Sequence, residues 1–166
     1  IVGQAARGTT SHFNVSNGFD GAIFTIMGIA IAINTILVGV LAYFYFTTRI
    51  ELSPTILFGM RLGLLLFLIG SIEGGYMASQ TGHTVGAVDG GPGLPLANWS
   101  TIAGDLRVAH FLGLHSLQAV PLFAIAVDRS KIRPGRILIA AFATLYFAMV
   151  GATFLQALWG KPFLTI

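Results

Sequence analysis

GAIFTIMGIAIAINTILVGVLAYFYFTT, from Gly21 to Thr48, is a run of 28 residues without a charge. About 20 apolar residues in a helix suffice to cross the hydrocarbon core of a bilayer. The stretch therefore predicts a membrane-spanning helix over 21–47, bounded by Asp20 and Arg49. Asn34 is its one strongly polar interior residue and is expected to make an interhelical hydrogen bond. Tyr43, Tyr45 and the neighbouring phenylalanines suit an interfacial belt.

Working outward, three further spans follow. The second, 55–77, opens after Ser53-Pro54, and proline is at home at the first helical position. It contains Arg61 and Glu73, roughly 18 Å apart along a helix, so each lies near one membrane face. The third, 107–127, carries His110, His115, Gln118 and Pro121, and the proline is expected to kink it. The fourth, 137–159, is uncharged and has Thr144, Thr153 and Gln156 as its polar members. The expected fold is an all-α integral membrane protein: a four-transmembrane-helix bundle in a single domain, 1–166, with a long ordered loop over 78–106. Composition agrees. The chain is 55% hydrophobic and 9% charged, with a mean hydropathy of +0.82, whereas soluble domains carry about 25% charged residues.

The 78–106 connection is rich in glycine and contains Pro92 and Pro95. A loop of that length in a compact protein is usually functional or disordered. Leu94, Leu96, Trp99 and Ile102 argue for order, and Asp89-Gly90-Gly91 marks a tight turn. Gly59, Gly63, Gly70 and Gly74 fall on one stripe of the second span, at about 0°, 40°, 20° and 60° around the helix. Such a stripe lets another backbone approach closely, or makes room for a flat cofactor; the packing reading is favoured. Glu73 borders the stripe and Arg61 points away from it.

The net charge of +3 does not indicate nucleic-acid binding, because the basic residues cluster at Arg129, Lys131, Arg133 and Arg136. In a membrane protein such a cluster reports orientation. The positive-inside rule puts it, with Arg49, in the cytoplasm. Both termini and the 78–106 loop then lie on the outer side of a bacterial inner membrane, together with Glu73, His12, His83, His110 and His115. Residues 1–18 are polar and do not read as a signal peptide. The chain has no cysteine, which excludes disulfides, thiolate metal sites, iron–sulfur clusters and covalent c-type haem.

The candidate site is the end of the loop and the helix that follows. With Arg107 at 0°, Gln118 falls at about 20°, His110 at about −60° and His115 at about 80°. A polar arc of this kind in a membrane helix is expected to face protein or water. The cofactor-binding candidates are His115, His110, Glu73, Arg107 and Gln118. His115 would be the axial ligand of a haem or chlorophyll-type pigment. A transmembrane two-haem wire, with a histidine from each of two helices on each haem, is excluded, because only one span carries histidine. A divalent metal would draw on His110, His83, His12, Asp89 and Asp105, three or four ligands being needed. His110 and His115 are five residues apart and cannot easily grip one ion together. A quinone or lipid-headgroup pocket is a further possibility. The plain alternative is a hydrogen-bonded network, free of ligand, that ties the loop to the bundle. No nucleotide-binding, HExxH or Gly-x-Ser-x-Gly pattern is present, and no residue is assigned a catalytic role.

Ser11-His12-Phe13-Asn14-Val15-Ser16, Asp89-Gly-Gly-Pro-Gly-Leu-Pro95 and Gly104-Asp105-Leu106-Arg107, followed by Ala109-His110-Phe-Leu-Gly-Leu-His115, resemble motifs of a group of small bacterial four-span integral membrane proteins. The resemblance implies a bacterial inner-membrane setting and carries no activity. The sequence thus leads to a non-enzymatic subunit or scaffold of a larger membrane assembly, redox or photosynthetic among the options, in contact with lipid and with other subunits or copies of itself. A haem- or pigment-binding redox protein is the second reading. An outer-face metal or small-molecule binder or transporter is the third.

Overall fold

The computed structural model describes residues 1–80 and 82–165. In chain order these form α1 (Val2–Ala6), α2 (Gly18–Thr47), α3 (Pro54–Ser79), β1 (Thr84–Val85), β2 (Gly104–Asp105), α4 (Leu106–Ser130) and α5 (Gly135–Leu158). Among the described residues the fold is all-α but for one two-residue strand pair, and α2 to α5 are each long and apolar enough to cross a membrane. They match the four expected spans to within three residues at each end. The small shifts have local causes. Asn17 Oδ1 accepts from the Asp20 N–H at 3.0 Å while Asp20 Oδ2 accepts from Asn17 Nδ2 at 2.7 Å. This reciprocal cap brings Asp20 inside the first turn of α2. Ser53 caps α3 by accepting from the Ile56 N–H at 3.2 Å, and the same hydroxyl donates to Asp128 Oδ1 at 2.6 Å.

The chain divides into two compact units, 1–39 and 40–166. The first is organised around Asp20, which is 2% exposed. Gln4 Nε2 donates to Asp20 Oδ1 at 2.8 Å, and Arg7 Nη1 forms an ion pair with the same oxygen at 2.5 Å. In the sequence Asp20 reads only as the edge of a span; here it holds the polar N-terminal segment in place. Within this unit the Asn34 side chain makes no hydrogen bond among the described residues.

The second unit is a packed core of α3, α4 and α5. Val120, Ala124, Ile139 and Ala143 lie at its centre, with Phe58, Leu62, Leu66, Phe123 and Phe142 packed around them. The Phe123 and Phe142 rings stack with centroids 4.3 Å apart. The glycine stripe of α3 lies against α4 along its whole length. A Cβ at Gly59 would lie 2.3 Å from Ala124 Cβ, one at Gly70 would lie 2.7 Å from the Gly113 backbone, and one at Gly74 would lie 2.4 Å from His110 Cε1. The stripe is therefore a helix-packing groove filled by α4, with no room along it for a flat ring. Pro121 sits inside the continuous helix α4, and its ring fills the space over Gly63. Ser116, fully buried, donates to the Gly63 and Gly113 carbonyls at 3.1 and 2.7 Å. Arg61 turns away from this contact. Its Nε donates to the Tyr45 carbonyl in the last turn of α2 at 2.8 Å, and its guanidinium lies over the Phe46 ring. A cation is favoured at that end of a helix.

Candidate functional site

The loop end of the second unit is built on Asp105, whose side chain is fully buried. As N-cap of α4 it accepts from the Arg107 N–H at 3.0 Å, which satisfies one of the free donors of the first turn. The Arg107 side chain folds back on it. Nε donates to Oδ1 at 3.0 Å and Nη2 to Oδ2 at 2.7 Å, a two-pronged pairing that fixes geometry as well as charge. Oδ2 also accepts from the Ser100 N–H at 2.8 Å. Nη2 of Arg107 reaches further, to the Asn98 carbonyl. One carboxylate thus gathers the turn at Asn98–Ser100, the start of α4 and a guanidinium.

The loop is pinned from its other end by the strand pair. Thr84 faces Asp105 and Val85 faces Gly104 in antiparallel register, and the Leu106 N–H donates to the His83 carbonyl at 2.9 Å. Gly104 must be glycine: a Cβ there would lie 2.0 Å from the Ala157 carbonyl oxygen of α5. Trp99 completes the cap, its ring edge-on to Phe111 and Phe163 at 5.5 and 5.9 Å. Ser100 and Gly104 are the positioning residues that sequence reasoning missed. Nothing local in the sequence singles out Ser100. The signal for Gly104 is its place just before an Asp N-cap.

His83 Nδ1 lies 3.4 Å from Asp89 Oδ1 and 3.7 Å from Asp105 Oδ1, and 3.1 Å from Thr84 Oγ1. Asp89 accepts from the His83 and Thr84 N–H groups. Partial burial acts to raise the Asp89 carboxyl, but the hydrogen bonds from Thr84 and from the two backbone amides, with His83 close by, outweigh it and hold the carboxyl below the usual aspartate range. A folded value below the unfolded one gives stability that is complete above about pH 4 and is lost as pH falls through the lowered value. The Thr84 amide resonance should therefore keep its folded position through neutral pH and titrate only in strong acid. In Asp89→Asn that titration should vanish; an unchanged profile would remove Asp89 from this role.

The structure brings Asp105, Arg107, His83 and Asp89 together at the loop end. It sets the helix histidines apart. His110 turns toward α3, where its Nδ1 donates to the Gly70 carbonyl at 2.8 Å. Glu73, one residue before Gly74, is 8% exposed, and its Oε1 is a buried acceptor without a hydrogen bond among the described residues. His115 and Gln118 lie on the exposed face of α4, so the polar arc expected to face protein or water is divided between two sides of the helix. His12 belongs to the first unit, where its Nδ1 lies 3.1 Å from Ser11 Oγ. Among the described residues no three His, Asp or Glu side chains are placed to hold one metal ion. Asp105, the best-placed carboxylate, already spends both oxygens on Arg107. A cavity of about 360 Å³ opens beside the cap, with Tyr76, Gln80, Thr84, Val85, Leu106 and Leu158 in its walls.

No protein-family model matches the chain, and no curated protein or solved structure matches it.

Proposed function

We propose that this chain is a non-catalytic subunit or scaffold of a larger membrane assembly, set in a bacterial inner membrane with the loop on the periplasmic side. The observation that supports it is where the polar residues go. Asp105, Arg107, Asp89 and Ser100 are committed to one another and to loop backbone, and His110 and Ser116 to carbonyls of α3. Groups that already have partners hold a shape. Side chains so committed are not free to act as nucleophile, base or metal ligand. Protein purified from its native membrane should show no Soret or pigment band and no stoichiometric metal, and should migrate on a native gel with other subunits. A chromophore that disappears in His115→Ala would overturn this reading in favour of the haem or pigment alternative. That alternative draws on one detail: His115 Nδ1 donates to the Phe111 carbonyl at 2.7 Å, which fixes the ring with Nε2 outward, as a hydrogen bond from the other ring nitrogen does for metal-bound histidines.

A second reading, small-molecule binding at the loop end, is favoured by the cavity and by the unsatisfied oxygen of Glu73, which lies about one turn below Tyr76 on the same face of α3. Buried acceptors in native proteins nearly always have a donor, and a ligand with an N–H or O–H group would provide one. Glu73→Gln should then change ligand affinity while leaving the melting temperature within a few degrees of the parent.

A further inference from the structure

Phe111, His115, Gln118 and Leu122 are all exposed along α4. Their spacing of four, three and four residues is that of the seam of a left-handed helix pair. His115 and Gln118 lie about 13 and 18 Å from the loop end of a helix about 37 Å long, at the depth of the hydrocarbon. Polar side chains at that depth face protein or water rather than lipid. The two have complementary needs. His115 Nδ1 can only donate to the Phe111 carbonyl, which leaves Nε2 as the acceptor of the uncharged ring. Gln118 makes no hydrogen bond among the described residues, so both of its N–H donors are unspent.

We propose that this stripe is the contact surface for a second copy of the chain, with α4 pairing against α4 about a two-fold axis along the membrane normal. In a parallel seam each side chain inserts among four residues of the facing helix, and the hole that receives one position includes the residue three further on. His115 of each copy thus meets Gln118 of the other. The Gln118 amide donates to the outward imidazole nitrogen, and two-fold symmetry makes the bond twice. Phe111 closes the seam at the loop end. Its ring lies against His115, tilted by 32° with centroids 3.9 Å apart, and is backed by Trp99, so the imidazole is held in one orientation. Leu122, 64% exposed, closes the other end. The surface stands whether or not the protein is a scaffold, because it follows from the faces of α4 alone.

The chain has no cysteine, so single-cysteine variants report only the position introduced. Gln118→Cys and Leu122→Cys in native-composition vesicles should form disulfide-linked dimers under mild oxidation. Leu145→Cys on α5 and Ile72→Cys on α3, at positions 71% and 73% exposed, should not. Single-molecule photobleaching of the cysteine-free protein should show two steps. Gln118→Leu, which keeps the seam apolar and the helix intact, should weaken dimerisation on the order of ten-fold, the scale of two interhelical hydrogen bonds. Equal cross-linking at all four positions would overturn the proposal, as would single-step bleaching, or a Gln118→Leu protein that dimerises as well as the parent.

Discussion

Gly113→Ala and Gly70→Ala are each expected to lower the stability of the α3–α4 pair by about 2–3 kcal/mol, the upper part of the range for forcing an extra carbon into a packed interior. A Cβ on Gly113 would lie 2.6 Å from Gly70 Cα, and one on Gly70 would lie 2.7 Å from the Gly113 backbone. Neither neighbour is a flexible side chain that can swing aside, so the helices themselves must part. Parting them also strains the Ser116 bond to the Gly63 carbonyl and the His110 bond to the Gly70 carbonyl. The two sites face each other, so their effects should not add: once the first alanine has opened the crossing, the second meets less resistance. Gly75→Ala and Gly151→Ala are the controls. Both are helical and an added Cβ meets nothing within 4 Å, so helix propensity alone should make them neutral or slightly stabilising. Thermal unfolding in detergent distinguishes the cases. Equal melting temperatures for Gly70→Ala and Gly75→Ala would show that the close crossing does not limit stability.

Asp105→Ala should be the most damaging single change at the loop end, with a loss of about 3 kcal/mol, the lower end of what removing one partner of a buried ion pair costs. The lower end applies because the Arg107 side chain keeps 28% exposure and part of its charge remains solvated. Three functions fail together: the N-cap of α4, the anchor of the Ser100 turn and the counter-charge of Arg107. Asp105→Asn separates them. It keeps the volume and one acceptor but turns an N–H group toward donors, so it should retain some of the cap and lose the two-pronged pairing. Hydrogen exchange should show faster exchange at the Ser100 and Leu106 amides, while the amides of the α4–α5 core stay protected. Wild-type exchange at these loop amides in Asp105→Asn would mean that the strand pair and Gly104 hold the loop without the ion pair.

Much of this architecture is legible in the chain because the membrane restricts the choices. A bilayer sets a minimum helix length, so uncharged runs such as Gly21–Thr48 announce their spans. The alignment of Gly59, Gly63, Gly70 and Gly74 announces a close helix contact. Of the apolar residues that argue for an ordered loop, Trp99 does pack against Phe111 and Phe163, whereas Leu96 and Ile102 are exposed. What could not be read is which residues a loop brings together. His83 and Asp105 are 22 positions apart, and nothing local in either predicts that one strand pair sets them side by side.

The sequence by itself determined four apolar helices, where they begin and end, and that polar side chains collect near the start of the third long helix. Only the tertiary structure decided which of them serve the fold. The reason is rotation about a helix axis. His110 and His115 lie about 140° apart on α4, so no orientation turns both toward α3. The fit of Gly70 against Gly113, and of Pro121 over Gly63, sets that orientation, sending His110 to the Gly70 carbonyl and leaving His115 and Gln118 on the exposed face. Periodicity gives the angle between two residues on a helix; the neighbours packed against it choose which one faces inward.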